Sequence, residues 1–372
     1  MSPEINRVNI KEFDAANIER LPEAPEYIRA LVRDGPCTYV DNAQVTMKAL
    51  SIDDIVLPIV ISEPGLENSD VCSPSTHYVS YTLEELVKRR PWIPRSIFQG
   101  FLGAFGAAVS CCELDRVVYV NNWLLTTNPH EPLTPEQLYE LTEFLRERYP
   151  DHAIVHRSVN PYLHKEHYDA LIECGHRMVK SRVVYLIDPM DERVSRRSDV
   201  RRDLRLLRHS SYEVVDHGGI TDSDVPRMVE LYRSLYLDKH SFLNPQFDAR
   251  FFSLTLRGGP LEYKALKKGG RIDAMRSFFV RGGVVTGAFV GYDQSVSRRE
   301  GLFRQLFGLL FLEAREREML LNWSAGVGAF KIQRGAFPVT EYDAVYDHHL
   351  SVRRRLGWHL VRLEGKGWGS GL

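Results

Sequence analysis

The sequence predicts a mixed α/β protein (α+β, with mixed sheets) built as two similar lobes in tandem. Three observations carry that reading. One order of elements occurs twice, over residues 115–189 and again over 272–348: strand, loop, helix, strand, short helix ending at a glycine, strand. A chain of 372 residues with 44% hydrophobic content is long enough for two ordinary domains. Between the copies, Arg193, Arg196, Arg197, Arg201, Arg202, Arg205 and Arg208 crowd a stretch with few large apolar side chains, which marks a connection. The predicted division is an N-terminal lobe over 1–190, an arginine-rich connection over 191–211 and a C-terminal lobe over 212–372.

Taken in order, 24–32 reads as a helix, and 38–47 and 54–61 alternate like paired strands. A helix over 81–90 begins at Thr82, with Glu85 at the capping-box spacing, and Pro91 and Pro94 stop it. Residues 98–109 are apolar and glycine-rich, with no clear element type. The first copy follows, with strand 116–120, helix 134–147, strand 153–157, a short helix ending at Gly175, and strand 178–187. The second half opens with strand 212–215 and a helix over 223–236 capped by Thr221 or Ser223. A polar loop, 238–245, leads to a helix over 247–256. Gly282 and Gly283 sit between two apolar runs, 275–281 and 284–292, a strong hairpin signal. The second copy continues with helix 301–318, strand 319–323, a short helix ending at Gly335, and strand 338–346, and 365–372 reads as a loose tail.

Composition excludes several classes. Charged residues make up 26% and the formal net charge is −1, so no global basic signature for nucleic acid exists. No run of about 18 apolar residues is present, and the first residues lack a basic segment followed by an apolar one, so neither a membrane span nor secretion is expected. Five cysteines, without Cys-x-x-Cys spacing, fit reduced thiols and a cytoplasmic setting. His152, His156, His164 and His167 have no metal-ligand spacing, so no metal is expected, and no Gly-x-Ser-x-Gly elbow occurs. The arginine-rich stretch fits either a basic surface for a polyanion or a solvated helix whose arginines pair with Asp191, Glu192, Asp199 and Asp203.

The second half runs β, α, α, β-hairpin, loop, α, β, α, β, and its loop carries Ser297, Arg298, Gly301, Leu302 and Phe303 at the start of a helix. This arrangement resembles the GNAT acyltransferases. Over 38–360 the chain resembles their double-lobed members, which include the FemAB-like aminoacyl transferases. The resemblance implies tandem GNAT-like lobes and N-acyl transfer, by direct attack of an amine on a thioester. The donor would be acyl-CoA or the phosphopantetheine of an acyl carrier protein, and the acceptor a small-molecule or peptide amine. Free N–H groups and the positive end of a helix bind pyrophosphate. Arg298 and Gly301 match the first two positions of the family's loop; Phe303 departs from the small residue expected third, which leaves room for a carrier-protein pantetheine or an aminoacyl-tRNA end.

In the resembling fold the strand after this helix splays from its neighbour and the thioester arm lies in the gap. Asn322 and Ser324 fall there, as groups to orient the acceptor or simply as strand-end hydrogen bonds. Four residues before Gly335, where the family places a proton-donating tyrosine, stands Lys331. Acceptor contacts are expected from Tyr236, Lys239, His240 and Asn244 and from Glu341, Tyr342, Asp343, His348 and His349. A base must deprotonate the attacking ammonium; His348, His349 and Asp293 are the candidates. The first copy has no glycine at its helix start and Leu171 in place of the proton donor, so it is expected to be degenerate, with 73–78 and 121–123 shaping an acceptor pocket or making turn and interlobe contacts. Two alternatives remain: transfer from aminoacyl-tRNA, and a non-catalytic binding module.

Overall fold

The computed structural model describes residues 8–81, 84 and 111–367. Apart from Tyr81 and Glu84, the helix expected over 81–90 lies outside them, as do 98–109 and the last five residues of the tail. The strands are β1 (Ile10–Phe13), β2 (Thr46–Ile52), β3 (Ile55–Ser62), β4 (Val117–Val120), β5 (Ala153–Val159), β6 (Arg177–Ile187), β7 (Glu213–Asp216), β8 (Leu261–Lys268), β9 (Arg271–Arg281), β10 (Val284–Tyr292), β11 (Leu320–Asn322) and β12 (Phe337–Tyr346). They form one mixed sheet in the order β1-β2-β3-β4-β5-β12-β6-β11-β10-β9-β8-β7.

That order is symmetric about its centre. β4 runs parallel to β5 and β10 parallel to β11, while the other pairs are antiparallel. The last strand of each half is exchanged: β12 lies beside β5, and β6 lies beside β11. β6 and β12 pair along their length from Phe337 with Leu186 to Val345 with Arg177. Neither half closes its own sheet, so the halves fold as one unit at their shared centre.

The α-helices are α1 (Glu26–Asp34), α2 (Pro135–Arg148), α3 (Lys165–Glu173), α4 (Glu192–Ser195), α5 (Ser198–Arg208), α6 (Val225–Arg233), α7 (Ala249–Gly258), α8 (Leu302–Glu316), α9 (Gly328–Gln333) and α10 (Val352–Gly367). α1, α6 and α7 contribute to a core that draws on both halves, where Tyr27 and Leu31 meet Phe251, Phe252 and Trp123. α2 and α3 bury Leu138, Leu141 and Leu171 with Ile59, Val118 and Ile154. α8 buries Phe307, Leu310 and Phe311 with Val285 and Leu321.

Local signals set several boundaries. Thr134 caps α2 through a full capping box with Gln137, worth about 1 kcal/mol. Gly282 and Gly283, at φ +57° and +74°, make the two-residue turn between β9 and β10 that only left-handed backbone allows. The strand expected over 38–47 is corrected. A 3-10 turn occupies Pro36–Thr38 and β2 begins at Thr46. The intervening loop is held across the chain, because the Asn42 side chain accepts from Gln246 N and donates to the carbonyls of Phe242 and Asn244. β8 and α10 were not foreseen.

The arginine-rich connection is largely helical, and α5 packs on α8: Leu204 and Leu207 lie against Gly308, and Leu206 against Gly301. Ion pairs tie Arg193 to Asp191, Arg196 to Glu192 and Arg202 to Asp199.

A row of histidines crosses this fold, His130, His156, His167 and His176 buried and His164 half-buried. His130 lies near His164 and His167 with rings tilted, and His167 and His156, like His156 and His176, meet edge-on. Burial pushes all five rings below the usual histidine range, His167 to about 4 and His176 to about 3. The unfolded chain protonates these rings near pH 6.5 while the fold keeps them neutral. Stability is therefore full above that pH and is lost as the pH falls from about 6.5 toward 4, by up to ~1.4 kcal/mol per unit for each ring. Urea unfolding at pH 7.5 and pH 5 is expected to show a clear drop in midpoint at the lower pH. Equal midpoints would mean the rings already carry protons.

Candidate active site

The site begins where two strands part. β10 and β11 pair through Val284 with Leu320, Val285 with Leu321, and Thr286 with Asn322. β11 ends there, while β10 runs on to Tyr292. The chain after β11 follows β6 instead, with Trp323 N–H donating to Tyr185 O and Tyr185 N–H to Ser324 O. β10 shifts register between Gly287 and Val290, and Ser277 Oγ holds that irregularity by accepting from Phe289 N–H and donating to Phe289 O. A wedge opens between β10 on one side and the 322–326 loop with β6 on the other.

Three of the expected catalytic residues meet in this wedge. Asn322 Oδ1 accepts from Ser324 N–H at 2.8 Å, and Ser324 Oγ pairs with Thr127 Oγ1 at 2.9 Å. Lys331 is 1% exposed, and its Nζ donates to the carbonyls of Trp323, Ser324 and Ala325 at 2.7, 2.9 and 2.7 Å. Burial, with Arg276 and Arg182 nearby, presses its pKa well below the lysine range; the three carbonyls favour the charged form. All three ammonium hydrogens are committed to the loop. The proton-donor role expected for Lys331 is thus corrected to one of holding the loop.

Tyr236 also reaches the wedge, its Oη accepting from Val290 N–H at 3.4 Å. Arg182 donates to Glu341 at 2.9 Å and to Thr127 at 2.7 Å. Burial raises the pKa of Glu341, which makes it a better base than a surface carboxylate, while Arg182 and Asn322 restrain the rise.

The helix tip adjoins this region. Gly301, at φ +62°, is the N-cap of α8, and no side chain caps the helix's first turn. Arg298 is exposed, and Ser297 Oγ accepts from Arg299 N–H. Phe303 joins Tyr292, Phe307 and Phe330, so it carries the tip's packing toward α9. The Leu302 side chain lies in an apolar cluster with Leu266 and Leu306, which leaves only its backbone for a ligand. A Cβ on Gly301 would come within 2.7 Å of Leu206, so α5 also leans on this tip.

Other expectations are corrected. Asp293 lies beyond the end of β10, bound by Arg227, Arg271 and Ser295. It loses some ground to burial, but Ser295 and Arg227 pull its pKa down to about 2, so it is too weak a base for an ammonium near neutral pH. Asp293→Asn is expected to leave the acid limb of the pH–rate profile unmoved; a displaced limb would restore Asp293 as the base. His348 bonds Gly175 O and His349 bonds His152 O, past the end of β12. From Glu341 to Tyr346 the strand already travels about 17 Å, so neither histidine attends the wedge. Both Asn244 amide hydrogens close its own loop, on Tyr236 O and Ser241 O. Tyr342 packs edge-on to Tyr168 of α3. Lys239 and His240 are exposed at the end of the turn after α6.

The first lobe's matching loop is filled by its own bonds: Asn121 to Pro129 O and Trp123 Nε1, and Asn122 to Val71 O. Ser73 and Ser75 hold Asp115, and Tyr78 holds Asp343. These are the turn and interlobe contacts of the plainer reading. Arg276, Arg182 and Thr127 were missed as site residues. A signal for Arg276 exists, a lone arginine inside the apolar run 274–280.

Among the described residues, no group of three or more His, Cys, Asp or Glu is arranged to hold a metal, and no helix is long and apolar enough to cross a membrane.

Residues 194–331 match the family described as acetyltransferase (GNAT) domain. No curated protein matches the sequence. Among solved structures, FemX superposes with a TM-score of 0.54 at 9% identity, covering 95% of this chain and 100% of FemX. A conserved protein of unknown function from Bacteroides thetaiotaomicron gives 0.49 at 10% identity, over 91% of this chain and 99% of that one. L-PGS from Bacillus licheniformis gives 0.45 at 14% identity, over 62% and 78%. The chain has a GNAT-like fold, doubled as in FemX.

Proposed function

We propose that the protein is an N-acyltransferase that moves an acyl or aminoacyl group from a pantetheine thioester, on coenzyme A or an acyl carrier protein, to a small-molecule or peptide amine. The divergence of β10 from β11 beside the uncapped start of α8 carries this reading. A thioester arm fits between the parted strands while its phosphate meets the first-turn amides and Arg298. Lys331 fixes the 323–325 carbonyls on one side, so the loop's geometry is set before substrate arrives. Glu341, raised by burial, takes the ammonium proton in place of Asp293 and His348. The amine then attacks the carbonyl, the tetrahedral intermediate collapses, and the thiolate leaves.

One observation favours aminoacyl-tRNA as the donor. Arg201, Arg205 and Arg208 of α5 and Arg298 and Arg299 beside the α8 tip are exposed, and none is ion-paired among the described residues. Titration with coenzyme A, phosphopantetheinylated carrier protein and tRNA, at two salt concentrations, separates the readings. Coenzyme A or carrier-protein binding supports the first. Tight tRNA binding that weakens steeply with salt supports the second. No response to any of them favours a non-catalytic module.

A further inference from the structure

The wedge holds more positive charge than its own residues neutralise. Arg276 leaves β9 and lies beneath α8, 4% exposed, with its guanidinium carbon 4.8 Å from the Phe307 ring centre. Its Nε and Nη1 are buried and meet no acceptor among the described residues. Gly287 makes room for it, because a Cβ there would collide with Nη2. Lys331 Nζ stands 6.0 Å from the same ring centre. Arg182 completes the group, and its Nη1 is also buried without an acceptor.

Against the two guanidiniums stands a single carboxylate, Glu341, already paired with Arg182. The next carboxylate, Asp343, is occupied by Tyr78 Oη and Ser158 N–H and feels the charge of Arg157. Burial lowers the Arg276 pKa to about 10, so it stays charged at neutral pH. An unpaired guanidinium taken out of water is costly, and the cost is recovered only when a counter-charge arrives.

We propose that the wedge binds an oxyanion, a carboxylate or phosphate carried by a substrate, seated on Arg276 with Arg182 and Lys331 behind it. As a substrate site it rests on the transferase reading; the charge imbalance does not.

The test is thermal unfolding of the full chain in sodium acetate, inorganic phosphate or sodium chloride at equal ionic strength, for wild type, Arg276→Met and Arg276→Lys. Wild type is expected to gain roughly 2 °C in phosphate or acetate over chloride near ten times the dissociation constant. The anion giving the larger gain names the group. Arg276→Met abolishes that gain and, freed of the unpaired charge, unfolds no lower than wild type in chloride. Arg276→Lys keeps part of the gain. No anion-specific gain in wild type, or an equal gain in Arg276→Met, overturns the site. Coenzyme A, carrier protein and tRNA titrated in parallel keep the two claims apart. Donor binding without an anion response removes the wedge site alone, and an anion response without donor binding leaves the site standing while the transferase reading falls.

Discussion

Asp203→Ala is expected to lower stability by about 3–5 kcal/mol, the range for stripping a buried ion pair of one partner. Asp203 is the buried carboxylate of the arginine-rich connection. Its Oδ1 accepts from Arg304 Nε and its Oδ2 from Arg334 Nε, both at 2.6 Å. The three residues come from α5, α8 and the end of α9, so one carboxylate fastens the connection to the two helices that border the wedge. Arg334 is itself buried, stacked 3.3 Å from the Phe330 ring centre, and has nowhere to take its charge once Asp203 is gone. The control is Asp199→Ala. Asp199 meets the exposed Arg202 at 3.5 Å, and such a pair contributes at most about 1 kcal/mol. Urea midpoints of the two variants should differ widely. Similar midpoints would show that the connection is a loose tether and that the clamp contributes nothing.

Lys331→Ala is expected to reduce turnover by about 10²–10³-fold, the scale for losing one preorganised element of an acyl-transfer site. The same change strands three carbonyls that now share one ammonium, at a cost of about 1–3 kcal/mol. Ser324 and Val327 hold left-handed backbone at φ +61° and +45°, a conformation that non-glycine residues keep only when their surroundings enforce it. Lys331 supplies that enforcement, so its loss lets the loop relax. The measurement is kcat and its pH dependence, with the donor identified by titration. A residue that holds the loop lowers kcat and leaves the shape of the pH profile alone. Undiminished turnover removes Lys331 from the mechanism, and a lost alkaline limb would return it to proton transfer.

Much of the wedge was legible in the sequence because its parts are local. Asn322, Ser324 and Lys331 lie within ten residues of one another, and the strand–turn–helix order there fixes which way they face. Gly301 was legible for the same reason, as a glycine at a helix start. The proposed general base was not. Glu341 stood in the sequence as one acceptor contact among several, and its basicity comes from burial, against the opposing pull of Arg182, 159 residues away. Arg276 shows in the sequence only as a lone arginine in an apolar run, and its role depends on the shift at Gly287 and the ring of Phe307 that enclose it.

By itself, then, the sequence determined most of the elements, though not β8 or α10, together with their duplication and the glycines that turn them, because each follows from side-chain periodicity and backbone freedom over a few residues. Only the tertiary structure decided that β6 and β12 trade places, that the two halves meet along them, and that Arg276, Arg182 and Lys331 converge where β10 parts from β11. Strand partners are chosen by edges and faces that meet across more than a hundred residues, and burial sets charge states only once those partners have closed around them.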